Sequence, residues 1–224
     1  ENLISYTVAQ AGSRLRPWVT NHPIGPKILG VKSLSMRTMR PRYIGGLLVL
    51  FLLGMTAMRL AASYVSLVSS GAEILDLNFG NEATYIHNTL FALGGSGRDA
   101  YLHVFLLIDA CYAVIYAVFY ACTMAFFLRR IAPERWEWKR VRWVILLPMV
   151  AAACDWWENI SFARMILQFP TPASQLLVTS ATIATMTKFI LVYLSLLLVL
   201  GLAAGWIILR IRARRRNQLK TPTG

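Results

Sequence analysis

Four long apolar runs are the feature that most limits what this chain can fold into. A helix crosses ~30 Å of hydrocarbon with roughly 20 mostly apolar residues at a rise of ~1.5 Å each. Four segments reach that length, at about 43–68, 100–128, 143–167 and 180–209. They predict an all-α membrane protein, a four-helix transmembrane bundle. Composition agrees, because 57% of the 224 residues are hydrophobic and 15% charged, where a soluble domain has about 45–50% and about 25%. A disordered chain and a secreted disulfide scaffold are excluded, and a soluble enzyme is disfavoured.

The segments between the runs alternate in charge. Residues 1–42 carry seven Lys and Arg against Glu1, and residues 69–99 carry four acids against Arg98. The 129–142 loop has six basic residues against Glu134 and Glu137, the 168–179 loop has no charge, and residues 210–224 hold six basic residues and no acid. This is the pattern of four spans with both termini on the inner side, meaning cytosol, matrix or stroma. It accounts for the net charge of +13 without nucleic-acid binding.

Residues 1–42 read as a basic, extended arm, because Pro17, Pro23, Pro26 and Pro41 interrupt any long helix. Basic, acid-poor composition is also the bias of organelle-targeting segments. The first residue is Glu rather than Met, which fits either a processed precursor or a partial chain. A cleaved targeting peptide would be gone from the former, so the composition is only a slight pointer to an organelle. In the first loop, residues 81–93 predict a short interfacial helix with Ile86, Leu90 and Leu93 at helical spacing. The Gly94-Gly95-Ser96-Gly97 stretch closes it as a turn. Phe169-Pro170-Thr171-Pro172 predicts a tight hairpin. Trp136, Trp138, Lys139, Arg140 and Trp143 place indoles and cations together at the inner interface. Arg210, Arg212, Arg214, Arg215 and Arg216 form a basic tail beyond the last span, suited to anionic headgroups.

The usual site motifs do not occur. Cys111, Cys122 and Cys154 form no CxxC and read as small apolar residues. Of three histidines only His103 is near a span, so the chain cannot supply an axial haem pair by itself. No phosphate-binding loop, dinucleotide fingerprint, nucleophile elbow or zinc-protease helix is present, and no cofactor or metal is expected. Gly201 and Gly205 form a GxxxG whose default role is core packing.

Charge inside the spans is the informative signal. Arg59 lies in the first, Asp109 in the second, Asp155, Glu158 and Asn159 in the third and Lys188 in the fourth. All fall in the middle to outer half of the membrane, and the spacing of Asp155, Glu158 and Asn159 puts them on one helix face. An isolated charge near the bilayer centre costs ~2.5–3.5 kcal/mol, so these groups are expected to face each other. The expected pairs are Asp155 or Asp109 with Lys188, and Glu158 with Arg59, leaving one surplus carboxyl that is either protonated or bonded to Asn159, Tyr112 or Tyr116. Arg164, nearer the outer surface, is expected to snorkel. Such a network either fixes helix register, the best-attested use of buried ion pairs, or holds a proton or cationic substrate.

At these positions, over about residues 97–200, the chain resembles a family of small four-helix integral membrane proteins. The family's pattern is an Asp in helix two, Asp-x-x-Glu-Asn in helix three followed by a Pro-containing turn, and a Lys in helix four. Here those residues are Asp109, Asp155, Glu158, Asn159, Pro170 and Lys188. The resemblance implies an architecture and a shared polar core, and carries no activity.

The resulting expectation is a non-catalytic accessory subunit of a larger membrane complex. An organellar energy-transducing (respiratory or photosynthetic) complex, with the mitochondrial inner membrane favoured, is the setting. Partners are other membrane subunits and anionic lipids. Two alternatives stand beside it: a small transporter or proton-conducting protein using Asp155, Glu158 and Lys188, and a lipid-modifying enzyme with an acid/base pair drawn from Asp109, Asp155 and Glu158. The first needs a water-accessible cavity reaching the cluster, the second a lipid-sized pocket beside the carboxyls.

Overall fold

A computed structural model describes residues 40–72, 83–131 and 138–218. The regular elements among them are all helical. Helix α1 is Pro41–Val68 and α2 is Ala83–Ala92; α3, Gly94–Ala100, continues through a π-helical turn, Tyr101–Phe105, into α4, Leu106–Ile131. Helices α5, Trp138–Gln168, and α6, Gln175–Gln218, complete the order. Almost all of the expected N-terminal arm, and Trp136, lie outside the described residues.

Among the described residues three helices are long and apolar enough to cross a membrane. They are Pro41–Val68, Gly94–Ile131 and Gln175–Arg216, with mean hydropathies of 2.0, 2.1 and 2.4. That is the make-up of a membrane-embedded protein. The third expected span lies in α5, which has 31 residues. Asp155, Glu158, Asn159 and Arg164 dilute its apolar run, so composition alone does not set it beside the other three.

Helix α1 opens on Pro41, a position where the missing N–H is no loss. It stops where Ser70 and Gly71 take positive φ values of 56° and 92°. Helix α2 forms where expected, with Ile86, Leu90 and Leu93 buried against Val65, Tyr101 and Phe105. The glycine-rich stretch after it differs from expectation. One glycine suffices for the corner, Gly94 at φ +65°, and the following residues are already helical, so this long helix starts at Gly94 rather than near Ala100. Gly97 serves close approach instead, since a Cβ there would stand 2.8 Å from the Ser69 Cβ.

Tyr101, Phe105, Asp109, Ala113 and Ala117 recur every four residues and are all buried. In a regular helix a four-residue repeat drifts by about 40° per step. The π turn, with its wider winding, takes up part of that drift at the start of the series and keeps Asp109 facing the bundle interior.

Helix α5 packs between α4 and α6, and α1 packs on α4. One core cluster gathers Tyr101, Phe105, Phe162 and Val178 with the α2 residues. The other gathers Tyr116, Tyr120, Met124 and Ala151. The α5–α6 connection is the short Pro-containing hairpin expected, with Thr171 N–H donating to the Gln168 carbonyl at 2.9 Å. Arg98 ties this hairpin to α2. It donates to the Leu90 carbonyl at 2.8 Å, and its guanidinium lies 4.2 Å from the Phe169 ring centroid.

Helix α6 runs past the expected span end. Arg210, Arg212, Arg214, Arg215 and Arg216 are exposed residues of this helix rather than a separate tail. Arg is a good helix former, and no Gly or Pro intervenes before Pro222. Near this end Trp206 lies between Arg130 and Arg210, whose guanidinium carbons stand 5.5 and 5.1 Å from its ring centroid. Trp138, Lys139 and Arg140 open α5, and Trp143 one turn on is exposed. The two glycines of the GxxxG differ: Gly201 is exposed, and a Cβ there would meet nothing within 4 Å, whereas Gly205 is half-buried with Ile131 Cδ1 at 3.8 Å.

Candidate functional site: a buried ion-pair network beside a cavity

Three helices bring five buried polar residues together. Asp109 comes from α4, Asp155, Glu158 and Asn159 from α5, and Lys188 from α6, and the exposed fraction of Glu158 is 0%. Lys188 Nζ stands 3.0 Å from Asp155 Oδ1 and also pairs with Glu158 Oε2. Tyr116 OH donates to Asp155 Oδ2 at 3.0 Å. Thr185, one turn before Lys188, places its hydroxyl 2.6 Å from Glu158 Oε1, with the Ala181 carbonyl as a second acceptor at 3.0 Å. Asn159 Nδ2 donates to Asp109 Oδ2 at 2.8 Å. Alongside it, Trp156 Nε1 donates to the Ala110 carbonyl at 3.0 Å.

This geometry follows from helix periodicity. Asp155 and Glu158 are three residues apart, so both carboxylates reach one ammonium on the facing helix. A desolvated ion pair is tolerated only when the remaining lone pairs also find donors. Tyr116 is that donor for Asp155 and Thr185 for Glu158, while Asn159 serves the neighbouring Asp109.

Arg59 does not join the network. It lies on the exposed face of α1, and Lys188 takes the Glu158 carboxylate that Arg59 was expected to hold. The cluster is therefore three acids around one base. Arg164 is exposed and lines an open groove of about 900 Å³ beside the α5–α6 hairpin. His103 lies on the surface, paired with Asp99 at 3.0 Å. Among the described residues no His, Cys, Asp and Glu side chains are grouped as a metal site.

Beside the network lies a cavity of about 240 Å³. Asp109, Asp155 and Lys188 form its polar side; Phe51 and Met58 of α1, Tyr112, Tyr116 and Tyr120 of α4, and Phe189 and Val192 of α6 form the rest. Gly54 sets the position of one wall, because a Cβ there would stand 2.6 Å from Tyr112 Cδ2. Phe51 fills the adjoining space, its centroid 5.8 Å from that of Tyr112 and 5.8 Å from that of Tyr120.

Sequence reasoning found Asp109, Asp155, Glu158, Asn159, Lys188 and Tyr116. It missed Thr185, although its position three residues before Lys188 marks it as sharing a face. Gly54 and Phe51 carried no signal, since they sit in a run that is apolar all round. No family model, curated protein or solved structure matches the chain.

Proposed function

We propose that this chain is a non-catalytic structural component of a larger membrane assembly, built as a four-helix transmembrane bundle with both termini on the inner side. The span from α5 is supported by its place between two helices that are themselves long and apolar, with its acids turned to those neighbours. The orientation is supported by the basic segments, which all fall on one side of four crossings. On that reading Arg210–Arg216 meet anionic headgroups, and the acid-poor arm favours an organellar inner membrane, the mitochondrial one first.

The observation that carries the assembly role is the position of Arg59. Thr56, Arg59 and Ser63 lie at helical spacing along the exposed face of α1, amid exposed Leu52, Leu53, Leu60 and Leu67. Arg59 is nine residues from the α1 C-terminus, or ~14 Å along the axis. A cation at such depth is costly against lipid, and the buried acids among the described residues, Asp109, Asp155 and Glu158, lie inside the bundle. A carboxylate on a neighbouring helix answers that cost. The two hydroxyls are turned back onto their own backbone, to the Leu52 and Arg59 carbonyls at 2.9 Å each, and their small size lets another helix approach. The outward Gly201 gives α6 a similar face.

A photo-crosslinking residue at Leu60, introduced into the full chain in its native membrane, tests this. Discrete protein adducts that disappear in the Arg59→Leu background are expected. Lipid adducts alone would overturn the assembly role. The cavity beside Asp109 favours a second reading, transport of protons or a cation through the cluster, for which Asp155→Asn would abolish flux in liposomes with the fold intact.

A further inference from the structure

We infer that the cavity between α1, α4 and α6 is a binding site for a lipophilic ammonium ion, with the head group on Asp109 and Asp155 and the chain leaving between α1 and α6.

Charge selects the head group. Three carboxyls and one ammonium make up the network, and the only other mid-span cation on the described part of α1, Arg59, points outward. Lys188 is committed to Asp155 and Glu158, so the polar side of the cavity is dominated by Asp109 and Asp155. Asp109 accepts from Asn159, and Asp155 from Tyr116 and Lys188; a carboxylate accepts from several donors at once, so an incoming ammonium N–H joins these donors. An anionic head group would meet two acids in a poorly screened site, and a neutral one would leave the charge surplus unchanged.

The walls select the rest. Phe51, Tyr112, Tyr116, Tyr120 and Phe189 line one space, and ring faces around a desolvated cation attract it through their quadrupoles. Phe51, Met58, Phe189 and Val192 are only partly buried, which puts the mouth between α1 and α6, facing the apolar belt. A volume of about 240 Å³ lies below the range of about 300–1,000 Å³ usual for whole drug-sized ligands. It suits a head group and the first carbons of a chain, with the remainder in lipid. Sites of this kind are mostly apolar with a few placed polar groups.

The inference does not rest on the assembly role, and either can fail alone. The test compares octylamine with octanol near neutral pH, on the full chain in a maltoside detergent, reading Tm against concentration. Ligand that binds the folded state raises Tm by mass action. Octylamine is expected to raise Tm well beyond octanol. Asp109→Asn is expected to weaken the amine's apparent affinity at least tenfold, each variant read against its own unliganded Tm, while leaving the octanol response unchanged. Phe51→Leu, outside the network and so independent of any folding defect at Asp109, is expected to weaken it several-fold. Equal effects of amine and alcohol, no shift at all, or a full amine response in both variants would overturn the proposal.

Discussion

Lys188 on α6 holds two carboxylates of α5 at once: its Nζ is 3.0 Å from Asp155 Oδ1, and it pairs with Glu158 three residues further along the same helix. A single contact would tolerate rotation of either helix about its axis. Two acids one turn apart, each with its own second donor, fix both rotation and register. Asp155 is further tied to α4 through Tyr116, so the same network sets three helices.

Removing Lys188 alone should therefore be far worse than removing the charges together. Lys188→Met leaves two buried carboxylates without their cation and is expected to cost about 3–5 kcal/mol. Combining it with Asp155→Asn and Glu158→Gln should recover most of that loss. Denaturation in detergent measures both, and a Lys188→Met protein as stable as the parent would show that the pairs contribute little.

Tyr116→Phe removes one hydrogen bond to a charged acceptor and keeps the ring. The expected loss is about 1.5–3 kcal/mol. In the Asp155→Asn background the same change should cost less, and the difference is the coupling between the two side chains.

The glycines should separate into two classes. Gly54→Ala forces the Tyr112 ring aside, an overpacking cost of about 1–3 kcal/mol, which Tyr112→Leu should relieve. Gly201→Ala meets nothing within 4 Å and gains the helix propensity of Ala, up to about 1 kcal/mol, so the isolated protein should become slightly more stable. Thermal unfolding of the three variants in one detergent checks the contrast.

Much of the cluster was legible before any coordinates because its spacing is diagnostic. Asp155, Glu158 and Asn159 can only share a face of a helix, and Lys188 at similar depth is the nearest counter-charge. The direction of Arg59 was not legible. Helix α1 is apolar over most of its surface. Its short polar stripe of Thr56, Arg59 and Ser63 fits a face turned to the bundle's own acids as well as one turned outward, so the sequence does not choose which face turns inward. The end of α6 was misplaced for a different reason. A change from apolar to basic residues marks the edge of a membrane, whereas a helix ends only where backbone chemistry stops it, and nothing from Leu209 to Arg216 does so. Likewise Gly94–Gly97 reads as a loop by composition, yet a single positive φ at Gly94 turns the corner. The cavity had no sequence signature, because it depends on how far Gly54 lets α1 approach Tyr112.

In the proposed assembly the buried network serves the fold, and the outer face of α1 makes the partner contacts. The most direct test isolates the full chain from its native membrane as unaltered protein, as the Asp155→Asn/Glu158→Gln/Lys188→Met triple variant, and as Arg59→Leu, and weighs each complex by native mass spectrometry. The triple variant, once folded, is expected to keep the neighbours of the unaltered chain, while Arg59→Leu is expected to lose them. A folded triple variant stripped of its neighbours, or an unaltered chain isolated only as a lone monomer, would contradict this division of roles.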